Sequence, residues 1–232
     1  MALSCLQIVQ TAFKRLGLQQ PSAAVTSSDV QVLQMLYLLE NEGQEQADRY
    51  PWQSLQREAS FTTVATQVQT TLAATTTGFD YMVNDTIWNR TLRRPVYGPK
   101  SQQDWQQDKA MNINGPFNSF RIIADAINFY PIPVAGQLCY FEYQTKFWVS
   151  GAIAGTTIVA DTDTILLDEQ ITTQGLIWRW KAMKGLDYTQ DFSIYESRIT
   201  NAMGRDAAKP TLNINGAMYD ISPVIAVPMG SW

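Results

Sequence analysis

Four carboxylates crowd one short stretch of the chain: Asp161, Asp163, Asp168 and Glu169, in DTDTILLDE. Acids at alternate positions are how a calcium loop begins. Such a loop also needs glycine at its sixth position and an acid at its twelfth. Counted from Asp161, those positions hold Leu166 and Thr172, so the spacing favours helix capping over metal binding. A second cluster is basic. Arg90, Arg93, Arg94 and Lys100 fall within NRTLRRPVYGPK, with Trp88 and Tyr97 alongside. Cations interleaved with aromatic rings can touch the phosphates of DNA in a channel, pair with acids of a neighbouring subunit, or stand in solvent. The third group is WRWKAMKGLDY, from Trp178 to Tyr188, where Arg179, Lys181 and Lys184 surround two tryptophans. Core packing by the indoles with snorkelling cations is the expected use, ahead of cation–π stacking.

Much chemistry is excluded by what the chain lacks. It contains no histidine, which removes Ser-His-Asp and Cys-His catalysis and His-ligated zinc. Its two cysteines, Cys5 and Cys139, lie far apart and are expected to be buried free thiols. No phosphate loop, dinucleotide fingerprint or nucleophile elbow occurs. Acids are present, but no motif selects the opposed pair that glycoside hydrolysis requires. The expectation is no enzyme, no cofactor and no metal.

The polar surface is poor in charge. Charged residues are 16% of the chain and the net charge is −4, which argues against a basic face that grips nucleic acid. Gln and Thr take their place, as suits a subunit packed against several neighbours, because interface cores are depleted in charge. No apolar run approaches the ~18 residues of a membrane helix. The opening MALSCLQIVQTAFKRLGL has no basic leader, so a soluble chain made in the cytoplasm, with no membrane partner, is expected.

These residues need elements to position them. Leu3, Leu6, Val9, Phe13 and Leu16 recur at helical steps, and Gly17 suits the stop. Ser27 or Ser28 can cap a second helix, with Asp29 in its first turn; Val30, Leu33, Leu36, Tyr37 and Ala47 mark its apolar face, and Pro51 ends it. Residues 57–160 read as β-rich, with strands at 61–64 and 68–72 and a short helix after Ser101. A meander is expected over 120–123, 126–130 and 138–143, broken by Pro131, Pro133 and Gly136 between its last two strands and extended by Phe147-Trp148-Val149. A third helix starts from Asp163 or Asp168 and is apolar on two sides. A fourth carries the stripe Phe192, Tyr195, Ile199, Ala202 and Met203 and stops before Pro210.

The fold class expected is α+β. Helix pairs at 1–56 and 161–210 form a four-helix core, 57–160 is a β-rich insertion, and 211–232 is an extended C-terminal arm. The arm carries one charge, Asp220, among many apolar residues. Met218, Tyr219, Ile221, Pro223, Val224, Ile225, Val227 and Trp232 are its candidate partner-binding residues. It either docks on another molecule or returns to its own domain as a last strand.

LQIVQTAFKRLGLQ followed by TSSDVQVLQMLYLLENEGQEQADRY resembles the opening helix pair of head-to-tail adaptor proteins of short-tailed bacteriophages. FDYMVNDTIWNRTLRRPVYGP and DTDTILLDEQITTQGLIWRWKAMKGLDY are similar to segments of the same family. The resemblance implies a virion protein at the head–tail junction, in a ring of twelve copies under the portal. That ring extends the channel for double-stranded DNA and offers a platform to the tail nozzle or tail tube protein. It also implies that the C-terminal arm reaches onto the portal or a neighbouring subunit. Two other functions are carried beside it: a carboxylate-based peptidoglycan hydrolase of the virion, and a tail-fibre or glycan-binding module suggested by the aromatic β-rich middle.

Overall fold

The computed structural model of the protein describes residues 3–112, 115 and 117–206. Helix α1 (Cys5–Arg15) begins at a capping box. Ser4 Oγ accepts the Gln7 N–H at 3.2 Å, and Gln7 Oε1 accepts the Ser4 N–H at 2.9 Å. Helix α2 (Val30–Arg49) is capped by Asp29, whose carboxylate takes the Gln31 N–H at 2.8 Å. The expected caps, Ser27 and Ser28, lie outside it; Ser27 Oγ accepts the Asp29 N–H instead.

Next come β1 (Gln56–Thr62), β2 (Val68–Thr71), the single turn α3 (Leu72–Thr75) and β3 (Phe79–Met82). They are followed by β4 (Trp88–Asn89), β5 (Arg94–Pro95), α4 (Gln102–Met111), β6 (Ser119–Ile123), β7 (Ala126–Tyr130) and β8 (Leu138–Thr145). The short ladder β9 (Val149–Ser150) with β10 (Thr164–Ile165) leads into α5 (Glu169–Met183) and α6 (Thr189–Asp206). The class is mixed α+β, and the sheets are antiparallel.

The expected meander does not form as one sheet. β6 and β7 make a hairpin through Ala124 and Asp125, both at positive φ, and β2 adds to its other edge. β8 leaves for a second sheet, where it pairs with β1 from Gln56↔Gln144 to Thr62↔Leu138 and, on its other side, with β3 and β4. Pro131 and Pro133 cannot donate to a ladder, so the chain crosses between layers there. The two sheets then pack face to face. Ala59, Phe61, Cys139, Phe141 and Tyr143 meet Leu72, Phe120, Ile127 and Phe129 in one buried cluster. Phe61 and Phe129 make an edge-to-face contact at 5.7 Å. Phe147-Trp148-Val149 does not extend β8; Trp148 is buried among the helices.

A second cluster gathers Ile8, Val9 and Phe13 of α1, Met35 and Leu39 of α2, Leu176, Ile177 and Trp180 of α5, and Tyr195 and Ile199 of α6. Trp148, Val149, Ile158 and Ile165 join it from the connecting segment. Helix α5 touches both α1 and α2 as well as α6, in keeping with its two apolar sides. The buried face of α2 is Val32, Met35, Leu38, Leu39, Glu42, Gly43 and Gln46. Of the expected face, Leu36 and Ala47 pack partly buried against this cluster, whereas Val30, Leu33 and Tyr37 are exposed. Two apolar sets run along α2 at helical spacing, and the buried one continues through polar Glu42 and Gln46, which hydropathy alone discounts.

Candidate interaction surfaces

The acidic stretch is fully engaged in folding. Asp161 Oδ1 accepts the N–H groups of Ala24 and Val25 at 3.0 and 2.8 Å, fixing the loop between α1 and α2. Asp163 Oδ2 accepts those of Val159 and Ala160 at 2.9 and 2.8 Å, while its backbone carbonyl takes the Cys5 N–H. Asp168, not Asp163, caps α5, accepting from Gln170 and Ile171 at 2.9 and 3.0 Å. Glu169 Oε1 takes the Leu3 N–H at 2.6 Å. Charged acceptors on backbone donors make strong local bonds, which explains the acids without a metal. Among the described residues, no group of three or more Cys, Asp or Glu is placed to hold one.

The basic loop divides. Arg90 lies with its guanidinium 3.5 Å from the Tyr140 ring centre and pairs with Glu58. Lys100 pairs with Asp108 of α4 at 2.9 Å. Arg94 stands over Phe117 at 5.8 Å. Arg93, at positive φ in the turn between β4 and β5, is exposed. Leu92 and Tyr97 are exposed beside it. The structure therefore gives the four different settings: Arg90 with Glu58 and Tyr140, Lys100 with Asp108, Arg94 in β5 over Phe117, and Arg93 in the exposed turn.

The tryptophan-rich helix does both things its residues allow. Trp180 is buried, and Trp178 sits against Tyr188, Phe192 and Tyr195. Arg179 lies over Trp178 at 4.5 Å and Lys184 over Trp180 at 4.6 Å. Arg179 also reaches Glu42, a carboxylate that is completely buried and accepts from Gln46 Nε2 as well. Burial, with Glu42 nearby, pushes the Tyr195 phenol upward. Gly175 closes this site; a Cβ there would stand 2.2 Å from the Glu42 carboxyl carbon. Arg179, Gln46 and Gly175 thus enclose the Glu42 carboxylate.

The outer side of α2 is where sequence reasoning and structure part most usefully. Val30, Leu33 and Tyr37 are exposed by 65%, 44% and 63%, at steps of three and four along the side opposite the core. The last residue of α5, Met183, and Leu186 of the turn after it are also exposed, and a hydrogen bond from Lys184 Nζ to Gln34 Oε1 ties that turn to the same end of α2. Isolated exposed apolar residues are ordinary, whereas a contiguous set marks a contact surface. The spacing carries this stripe, but hydropathy alone does not tell it from a core face.

The candidate arm residues Met218, Tyr219, Ile221, Pro223, Val224, Ile225, Val227 and Trp232 lie outside the described residues. No helix among the described residues is long and apolar enough to cross a membrane. No protein-family model matches the chain, and no curated protein is significantly similar to it.

Proposed function

We propose that the chain is a structural head-to-tail adaptor of a phage particle. Copies assemble as a twelve-membered ring under the portal, extend the channel through which double-stranded DNA passes without sequence-specific contact, and offer the tail nozzle its platform. The observation that carries this reading is the apolar stripe Val30, Leu33, Tyr37 on the solvent side of α2. Among the described residues nothing buries this second apolar face, and a neighbouring copy would cover it.

Three further features support the reading. The helical cluster is built from the first and last helix pairs, as a four-helix core interrupted by a β-rich insertion would be. Asp161, Asp163 and Asp168 are held by backbone N–H groups and Glu42 by Arg179, so these four acids serve the fold. The residues following α6 carry the apolar arm, which the proposal assigns to the portal or to an adjacent subunit. The test is direct imaging of the purified protein with portal rings from the same particle. Adaptor density ringing the portal is expected.

A further inference from the structure

The outer face of the five-stranded sheet carries three exposed carboxylates, Glu58, Asp85 and Glu142, around the single guanidinium of Arg90. Glu58 and Glu142 stand directly opposite each other on β1 and β8. Like charges in facing positions of an antiparallel pair destabilise it. Arg90 relieves only one of them, by pairing with Glu58. The Glu142 carboxylate and that of nearby Asp85 have no hydrogen-bond or ion-pair partner among the described residues. Asp85 is held at φ 60°, a left-handed conformation that asparagine and aspartate tolerate better than most side chains. These groups line a groove of about 280 Å³ whose side is Trp88, 46% exposed, paired in register with Tyr140.

The geometry points to a saccharide-binding site in this groove, sized for one sugar ring. A pyranose has an apolar C–H face and a rim of hydroxyl groups. The exposed indole of Trp88 offers a flat apolar surface for the first. Glu142 and Asp85 are acceptors for neighbouring hydroxyls, and such charge-assisted bonds are the strong ones. Arg90, fixed between the Tyr140 ring and Glu58, presents donors whose ordering cost is met before the ligand arrives.

Other occupants fit worse. Three carboxylates against one guanidinium repel a phosphate and hence a nucleic-acid backbone. An apolar helix would bury Glu142 and Asp85 without partners. A cationic peptide would meet the Asp85 and Glu142 charges, but it would also meet Arg90 in the middle of the groove. A neutral polyhydroxylated ring satisfies every group present. This site stands apart from the α2 stripe, so its failure leaves the adaptor reading untouched.

Saturation-transfer NMR on the full chain tests it, with glucose, galactose, mannose and N-acetylglucosamine offered singly and tetralysine as the competing class. Transfer to the ring protons of at least one sugar is expected, at an affinity on the order of 1 mM. Trp88→Ala should abolish the transfer and Glu142→Gln should weaken it several-fold. Because Glu142→Gln also removes the facing like charge, its thermal midpoint should hold or rise while sugar binding falls. Arg93→Gln should change neither. The assignment is overturned if none of the four sugars receives transfer, if transfer survives in both Trp88→Ala and Glu142→Gln, or if tetralysine alone binds.

Discussion

Arg179 Nε donates to Glu42 Oε2 at 2.5 Å, across the contact between α5 and α2, and Glu42 is wholly buried there. Gln46 Nε2 satisfies the other carboxylate oxygen. Removing one partner of a buried pair leaves an uncompensated charge, at a cost of about 3–5 kcal/mol. Arg179→Met should therefore lower the urea-unfolding free energy by that order. Arg179→Met combined with Glu42→Gln should recover a large part of the loss, because no buried charge is then stranded. A single-variant loss below about 1 kcal/mol would show that the pair is not what joins these helices.

Gly43 faces the indole of Trp148. A Cβ at this position would stand 2.5 Å from three ring carbons. In an exposed helix interior, Gly→Ala stabilises by about 0.5–1 kcal/mol. Here Trp148 is fully buried and cannot swing aside, so overpacking at about 1–3 kcal/mol should win. Gly43→Ala should lower the thermal midpoint, and pairing it with Trp148→Leu should relieve the clash. A rise in midpoint for Gly43→Ala alone would refute this contact.

Cys139 is completely buried between the two sheets, and that burial pushes its thiol from 9.0 up to about 12. The unfolded chain gives up this proton first as pH rises. The contribution of the neutral thiol is thus intact below pH 9 and is lost as pH climbs from 9 towards 12. The stability gap between the protein and Cys139→Ala should narrow over that window in guanidinium titrations. At pH 8 the thiol should ignore a disulfide reagent until the chain is unfolded. Rapid labelling of the native protein would contradict the burial.

The sequence disclosed element types more readily than faces and partners. Both helix pairs, the helix after Ser101 and the break at Gly185 follow from period, caps and glycine, all local signals. The face of α2 did not, because its buried side contains Glu42 and Gln46, whose partners Arg179 and Thr172 lie over a hundred residues away. The break at Pro131 and Pro133 is a local signal, but the move of β8 into a second sheet is not. Strand pairing is a non-local choice, and β8 takes β1 as partner across about eighty residues while its nearest strand in sequence, β7, goes elsewhere. The four acids could be recognised as capping residues. Which backbone groups they bind, such as Ala24 and Val25 for Asp161, could not. Arg90 looked like a cation available to a partner until Glu58 and Tyr140 were placed beside it.

Val30, Leu33 and Tyr37 face solvent, so changing them should leave the isolated chain as stable as before, within about 0.5 kcal/mol. Leu33→Asp with Tyr37→Asp should nevertheless abolish assembly into rings, since it places charge at the centre of the proposed subunit contact. Native mass spectrometry in the presence of the portal reads both effects. Rings of normal copy number from the double variant would remove α2 from the contact.

The most direct measurement is single-particle imaging of this protein mixed with portal rings from its own particle. The adaptor account predicts a continuous collar of twelve copies beneath the portal, with the outer side of α2 against the next subunit and an open axial channel. A portal left bare at saturating adaptor concentration, or decorated by scattered copies that do not touch, would contradict it.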